Sequence, residues 1–297
     1  PIMGELRLGS RSIQESWDLA RGRFQRELIE LGYEGVTVEQ VLAQRLRRRV
    51  WAEQATAAQA LAAVEESLLL LNNPRLTDEL GARAVVLLTA ERTVDGVPEV
   101  LRHTRQLVAH YRSVSAVPDA PVGTAPGADT VDRKRSGPAL PPWVEEFITA
   151  GYAHYCTLLP IAFADEDADV REIAAMLGFL FSLESLALAF GCDRAQLELA
   201  VAQSHPEPPA KVALLWAAQH QLGLLPLAEL RNRCVGLLES PLTFPAFPRY
   251  LIGLVQALES VPRLTSFVVE VISEAFARLP DPVLLGWLPE LIATLRA

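Results

Sequence analysis

Histidine is the first residue type to consider for chemistry, because the spacing of histidines shows whether they could share a metal ion. A zinc hydrolase places two histidines one helical turn apart. Here only His103 and His110 share a predicted helix, and their separation corresponds to about 10.5 Å of helical rise. Two side chains that far apart do not hold one ion without further ligands, so the sequence predicts no metal site. The other histidines are His154, His205 and His220.

The three cysteines also argue against a reactive centre. Cys156, Cys192 and Cys234 show no paired spacing, which is typical of buried thiols in a reducing compartment and predicts a cytoplasmic protein. Cys156 lies two residues from His154, and side chains two apart on a helix point to different faces. They are therefore not expected to act as a nucleophile and its base.

An acidic stretch invites a calcium interpretation, because Asp165, Asp167 and Asp169 alternate along it. A helix–loop–helix calcium site also requires glycine at its sixth position and glutamate at its twelfth, where this chain has Val170 and Met176. Capping of the next helix by Asp169 explains the pattern better. Glycine-rich phosphate loops and nucleophile elbows are missing as well. We therefore predict no cofactor and no catalytic residue.

Two surface features remain as candidate partner-binding sites. The first, the arginine cluster, could form an anion site, although the solvated face of a helix is the favoured interpretation. The second is an aromatic corner between Pro241 and Pro248, which could anchor a partner helix or loop. Packing of this corner against its neighbours is favoured. The candidate residues are Arg45, Arg47, Arg48 and Arg49 in the cluster, and Phe244, Phe247 and Tyr250 at the corner.

The composition indicates helices throughout. Of the 297 residues 50% are hydrophobic, and leucine and alanine dominate over β-branched residues. Apolar residues in segments 267–279 and 283–295 recur on one broad helical face, and prolines separate these segments. The prediction is an all-α fold, either an irregular multi-helix bundle or an α-solenoid of HEAT- or armadillo-like helix pairs. Its net charge of −9 disfavours nucleic acid as a partner.

A stretch rich in proline and glycine divides the chain. It predicts an N-terminal helical bundle over residues 1–115, a flexible linker over 116–142 and a C-terminal helical array over 143–297. No uninterrupted apolar run reaches about 18 residues, so no membrane partner is expected.

Some helix boundaries can be predicted from local signals. Thr37 begins a helical pattern that runs towards Leu71, as one helix or as two with a bend near Trp51. Thr77 or Asp78 is expected to start the following helix. A helix from Trp143 is expected to kink or end at Pro160.

The C-terminal third resembles one bacterial family. The resemblance lies in residues 223–230 (GLLPLAEL), 238–241 (LESP), 250–254 (YLIGL) and 288–291 (LPEL), and it covers about residues 193–296. Members are large proteins of unknown function encoded beside MoxR-type AAA+ ATPases and von Willebrand A-domain proteins. The resemblance implies a helical part of an ATPase-associated ternary system, with one of those proteins as partner. It transfers no catalytic residue.

The leading hypothesis is a cytoplasmic, non-enzymatic interaction module or scaffold. The alternative is an enzyme or ligand-binding bundle whose site is assembled from dispersed residues such as His103, His110 and Arg47–Arg49. A concave apolar pocket with convergent titratable groups would favour that alternative.

Overall fold

The computed structural model describes residues 32–115, 140–240, 242–278 and 280–296, and these residues form helices without a β-strand. The all-α, multi-helix prediction is confirmed. The helices are α1 (Val38–Val50), α2 (Ala57–Leu70), α3 (Pro74–Ala90), α4 (Val97–Ser115), α5 (Pro142–Ala164), α6 (Val170–Ala189), α7 (Arg194–Gln203), α8 (Pro209–Gln221), α9 (Leu227–Glu239), α10 (Phe247–Gln256), α11 (Thr265–Arg278) and α12 (Asp281–Arg296), with 3-10 turns at Phe244–Ala246 and Pro262–Leu264.

Side-chain caps define the first two helices. The hydroxyl of Thr37 accepts a hydrogen bond from the N–H of Gln40, as expected for the N-cap of α1. Thr56 and Gln59 form a reciprocal capping box at the start of α2. The pattern from Thr37 towards Leu71 is therefore two helices, separated at Trp51, which is the second of the two predicted arrangements.

Helix α3 begins earlier than predicted. It starts at Pro74 rather than at Thr77 or Asp78, and the side chain of Asn73 accepts from the N–H of Leu76. Proline is favoured in the first turn because its fixed φ is helical and the N–H that it lacks would have no partner there. The hydroxyl of Thr77 donates back to the Asn73 carbonyl, so this residue stabilises the first turn without starting it.

Helix α5 continues past Pro160, where the sequence predicted a kink or an end. It runs through Ala164, with Pro160 inside it. Proline removes one main-chain hydrogen bond, but Leu159, Ala162 and Phe163 on both sides of it are buried. Burial of these apolar side chains offsets the lost bond and keeps the helix continuous.

The first compact unit comprises, among the described residues, 32–91, 102–115 and 140–150. Helices α2 and α3 pack against each other, and α1 packs on both. Trp143 lies against Gly81 so closely that a Cβ at position 81 would overlap the indole ring. Glycine in the middle of α3 is thus required by the tryptophan, which is 5% exposed.

The second compact unit comprises residues 92–101 and the described residues from 151 onwards. Helix α6 contacts α7, α8 and α10, and its residues 173–180 are all buried. A helix that is apolar on every side is typical of a protein core or a membrane span. Helix α8 also packs closely against α10, which in turn contacts α11 and α12.

The division into units differs in detail from the predicted domains. Residues 92–101 belong to the second unit and residues 140–150 to the first. Most of the predicted linker, residues 116–139, lies outside the described part of the chain, so the linker stays a prediction. Its last residues do not extend it, because Leu140 is buried and Pro142 already begins α5.

Among the described helices, two are long and apolar enough to cross a membrane, judged by length and composition alone. They are α5 and α6, and 56% of the apolar window of each is buried in the fold. Polar or breaking residues such as His154 and Pro160 interrupt the apolar run of α5 without making the helix hydrophilic.

Candidate functional site

Each arginine of the predicted cluster has a carboxylate partner. Glu34 binds two of them from before α1, and Glu66 and Glu79 bind one each from α2 and α3. The hydrogen bond from Arg45 lowers the pKa of Glu34, and the one from Arg47 lowers the pKa of Glu79. Paired arginines favour the solvated, ion-paired face over an anion site. The pairs are Arg45–Glu34 at 2.7 Å, Arg48–Glu34 at 2.8 Å, Arg47–Glu79 at 2.7 Å and Arg49–Glu66 at 2.8 Å.

The two histidines on α4 lie in different surroundings. His103 is buried, with Nδ1 2.8 Å from Oε1 of Glu65 and Nε2 2.8 Å from Nη2 of Arg102. His110 is half-buried beside the Tyr111 ring. Within the described residues no group of three or more His, Cys, Asp or Glu side chains could hold a metal ion.

The cysteines are held as thiols. Burial raises the pKa of Cys234 to about 12 and also raises the pKa of Cys192, which is half-exposed. Cys156 is 7% exposed inside α5. Because the thiolate is the nucleophile, these surroundings do not favour thiol catalysis.

The first unit contains a small, mostly apolar cleft. It encloses about 160 Å³ next to Asn72, Asp78 and Tyr111. Burial, with a contribution from Asp78, raises the pKa of Tyr111 to about 12, so its hydroxyl stays protonated. Ligand pockets usually enclose roughly 300–1,000 Å³, and this cleft is too small for a typical metabolite.

Lys211 is a buried charged residue that the sequence analysis did not single out. It is 2% exposed, and its Nζ donates a hydrogen bond to the backbone carbonyl of Asp165. Burial lowers the pKa of Lys211, whereas the nearby acidic side chains, led by Asp165 and Asp167, oppose that shift. One signal was available: Lys211 stands at the spacing of the buried face that Leu214 and Leu215 continue.

The acidic loop, residues 165–169, is thus held between α5 and α6 by a lysine from α8. Asp169 accepts from the N–H of Arg171 at 2.9 Å, as predicted for the N-cap of α6. The side chain of Asp165 accepts from the N–H of Asp167 at 3.0 Å. These bonds explain the aspartates through local structure.

The aromatic corner is divided between core and surface. Phe247 is 1% exposed, which leaves its side chain unavailable to a partner. This burial agrees with packing of the corner against its neighbours, the favoured interpretation, because Phe247 lies in the first turn of α10 and that turn faces the core. The side chain of Phe244 lies outside the described part of the structure. Tyr250, one turn beyond Phe247, is half-buried.

Tyr250 belongs to a three-residue arrangement that we call the Trp216 stack. Its ring stacks on Trp216 of α8, with centroids 5.6 Å apart and an interplanar angle of 19°. The guanidinium of Arg233, on α9, lies 5.4 Å from the Trp216 ring centroid. Three helices therefore present one cation and two aromatic faces side by side.

The Trp216 stack remains partly open to solvent. Trp216 and Tyr250 are half-buried, and the Arg233 side chain is 37% exposed. Glu229 forms an ion pair with Arg233 at 3.3 Å, which orients the guanidinium. Rigid aromatic rings and arginine are the residue types most enriched at binding hot spots. Nothing local in the sequence joins Trp216 to Arg233 or Tyr250.

Comparison with family models, curated proteins and solved structures gave no match. The candidate site therefore has to be judged from this chain alone.

Proposed function

We propose that this chain is a non-enzymatic interaction module that binds another protein through the Trp216 stack. The observation that carries the proposal is the half-exposed alignment of Arg233, Trp216 and Tyr250 on three packed helices.

Rigidity supports a binding role for this surface. Trp216 and Tyr250 lie on α8 and α10, which pack so closely that Gly253 meets the backbone of Ala210. Side chains on such a support lose little conformational freedom when a partner covers them. Half-exposed rings also leave apolar area to bury, which is the main favourable term in association.

Two exposed leucines extend the apolar surface of the same unit. Leu224 and Leu227 are 50% and 40% exposed at the corner between α8 and α9. Gly223 makes this corner with a φ of +78°, a conformation that glycine adopts without strain. The surface of the unit therefore offers both an aromatic anchor and a leucine-rich corner to a partner.

The chemistry of the other candidates supports binding rather than catalysis. The arginine cluster is neutralised by glutamates, and His103 is enclosed by Glu65 and Arg102. The thiol of Cys234 is buried and protonated. These residues do not converge on one cavity large enough for a substrate.

The sequence resemblance suggests the partner. We propose a MoxR-type AAA+ ATPase or a von Willebrand A-domain protein, bound in the cytoplasm as part of an ATPase-associated assembly. This finer proposal rests on the leucine- and proline-marked segments of the C-terminal third.

Direct binding of the purified proteins tests both the proposed binding surface and the proposed partner. Arg233→Glu and Tyr250→Ala should each weaken binding of the partner at least tenfold, since hot-spot truncations remove roughly 2 kcal/mol or more. Arg92→Glu is the matched control, because Arg92 is an exposed arginine in the loop before α4 and is not part of the Trp216 stack. Equal affinity of all three variants would exclude the Trp216 stack. Failure of the chain to bind either candidate or any protein cross-linked in its native host would overturn the interaction proposal itself.

A further inference from the structure

Helices α5 and α6 have a property that protein binding does not require. Each has the length and composition of a membrane span, and they are consecutive. Residues 147–164 contain no Asp, Glu, Lys or Arg, and residues 173–189 contain only Glu184. A span needs about 17–25 residues at 1.5 Å of rise each. Both helices meet this requirement, with 23 and 20 residues.

The two helices are antiparallel neighbours. Tyr155 and Phe179 make an edge-to-face ring contact at 5.0 Å. Tyr152, further from the connecting loop on α5, interacts with Glu184, further along α6. The pair therefore forms a helical hairpin, which can cross a bilayer and return with its main-chain hydrogen bonds formed within each helix.

The tip of the hairpin is acidic and is held to the fold by one lysine. Its carboxylates are Asp165, Glu166, Asp167 and Asp169, all exposed. Lys211 reaches the tip from α8, and Glu172 faces it from the start of α6 with Asp95 and Glu99 beyond. The acidic side chains of the tip oppose part of the effect of burial on Lys211, whose pKa stays below its ordinary value.

We propose that the α5–α6 hairpin leaves the fold in acid and inserts into an anionic lipid bilayer. Protonation of the tip removes the charges that hydrocarbon excludes. It also removes the attraction that compensates the buried ammonium of Lys211, which loosens the attachment of the tip to α8.

The overall charge acts in the same direction. At neutral pH the formal charge of −9 repels an anionic surface. In acid the 27 lysines and arginines remain positive after the carboxylates are neutralised, so the chain is attracted to that surface. This membrane activity goes beyond the proposed protein binding and departs from the expectation of no membrane partner.

The test places a fluorophore on the hairpin and compares it with a matched position elsewhere. In a Cys192→Ser background, Ile161→Cys on α5 and Leu199→Cys on α7 are labelled with an environment-sensitive dye. The two native side chains are 60% and 57% exposed, so both positions start in water. Vesicles of phosphatidylcholine and phosphatidylglycerol carry a quencher within their acyl chains.

Between pH 7.5 and pH 3.5 the label at position 161 should become quenched, while the label at 199 stays unquenched. Neutralising the tip by Asp165→Asn, Glu166→Gln, Asp167→Asn and Asp169→Asn should shift the midpoint of quenching to higher pH. The same number of neutralisations at Glu53, Glu239, Glu259 and Glu270 changes the net charge equally and should shift the midpoint less. Equal quenching at both positions or no quenching at position 161 would overturn the proposal. A pH midpoint of quenching that the tip substitutions do not change would also overturn it. No protein partner takes part, so the outcome is independent of the proposed interaction.

Discussion

Gly253 of α10 lies against Ala210 of α8 so closely that a Cβ on the glycine would overlap the alanine carbonyl. This contact lies near the pair formed by Tyr250 and Trp216, because Tyr250 is three residues from Gly253 on α10 and Trp216 is six residues from Ala210 on α8. The spacing between these helices therefore sets the geometry of the Trp216 stack.

We expect Gly253→Ala to destabilise the protein by about 1–3 kcal/mol, because the added methyl group forces the two helices apart. Gly236→Ala on α9 is the control, since a Cβ there meets no atom within 4 Å. That change should stabilise by about 0.5–1 kcal/mol through helix propensity. Urea denaturation followed by circular dichroism measures both, and equal stabilities would contradict the close contact.

Because of Glu91, the free energy of unfolding should decrease as the pH rises above about 4.5. Its carboxylate accepts from the N–H of Ala57 at 2.7 Å, yet burial raises the pKa of Glu91 above its ordinary value. The folded state then binds a proton more tightly than the unfolded state, so the stabilisation by the proton is lost as the pH rises through the folded pKa.

The variant Glu91→Gln keeps an acceptor for Ala57 but does not titrate. Its unfolding free energy should change less between pH 4.5 and pH 7 than that of the wild type. If the unfolding free energies of the two proteins change equally with pH, Glu91 does not contribute to the pH dependence of stability.

Cysteine alkylation should proceed in an order set by burial. Cys192 is half-exposed and should react first in the native protein, although its raised pKa keeps it slower than a free thiol. Cys234, with a pKa of about 12, should stay unmodified until the protein unfolds. Peptide mass spectrometry after timed treatment with iodoacetamide at pH 7.5 gives the order. Rapid modification of Cys234 would contradict its buried position.

Removal of His103 should leave Glu65 without its buried partner. Their side chains are 8% and 11% exposed and meet at 2.8 Å. We expect His103→Leu to destabilise by about 1–3 kcal/mol, the penalty for a buried polar group without a partner. The double variant Glu65→Leu with His103→Leu should recover part of that loss, because two apolar side chains leave no orphaned group. Strict additivity of the two single changes would show that the pair is not coupled.

Local structure was largely predictable from local signals. Thr37 and Asp169 cap helices as expected, and Gly96 and Gly191 adopt positive φ at the ends of helical segments. Pro160 was expected to kink or end α5 because proline weakens an isolated helix, and the helix does not end there. Burial of the side chains around it overrides that weakness.

The candidate surfaces were harder to predict, because their partners come from distant parts of the chain. The arginine cluster was visible as a run of like charges, but the glutamates that neutralise Arg47 and Arg49 lie on other helices. Phe247 and Tyr250 were grouped together, since both are aromatic residues at one corner marked by prolines. Only the orientation of α10 against the core separates them.

The sequence by itself determined the all-α class and most helix boundaries, because helical periodicity, caps and glycine corners act within a few residues. Only the tertiary structure decided what the helices present to their surroundings. It placed Arg233 over Trp216, buried Lys211 against the acidic loop and enclosed His103 beside Glu65. Such contacts depend on how distant helices pack, and side-chain pairing between them has no local signal in the chain.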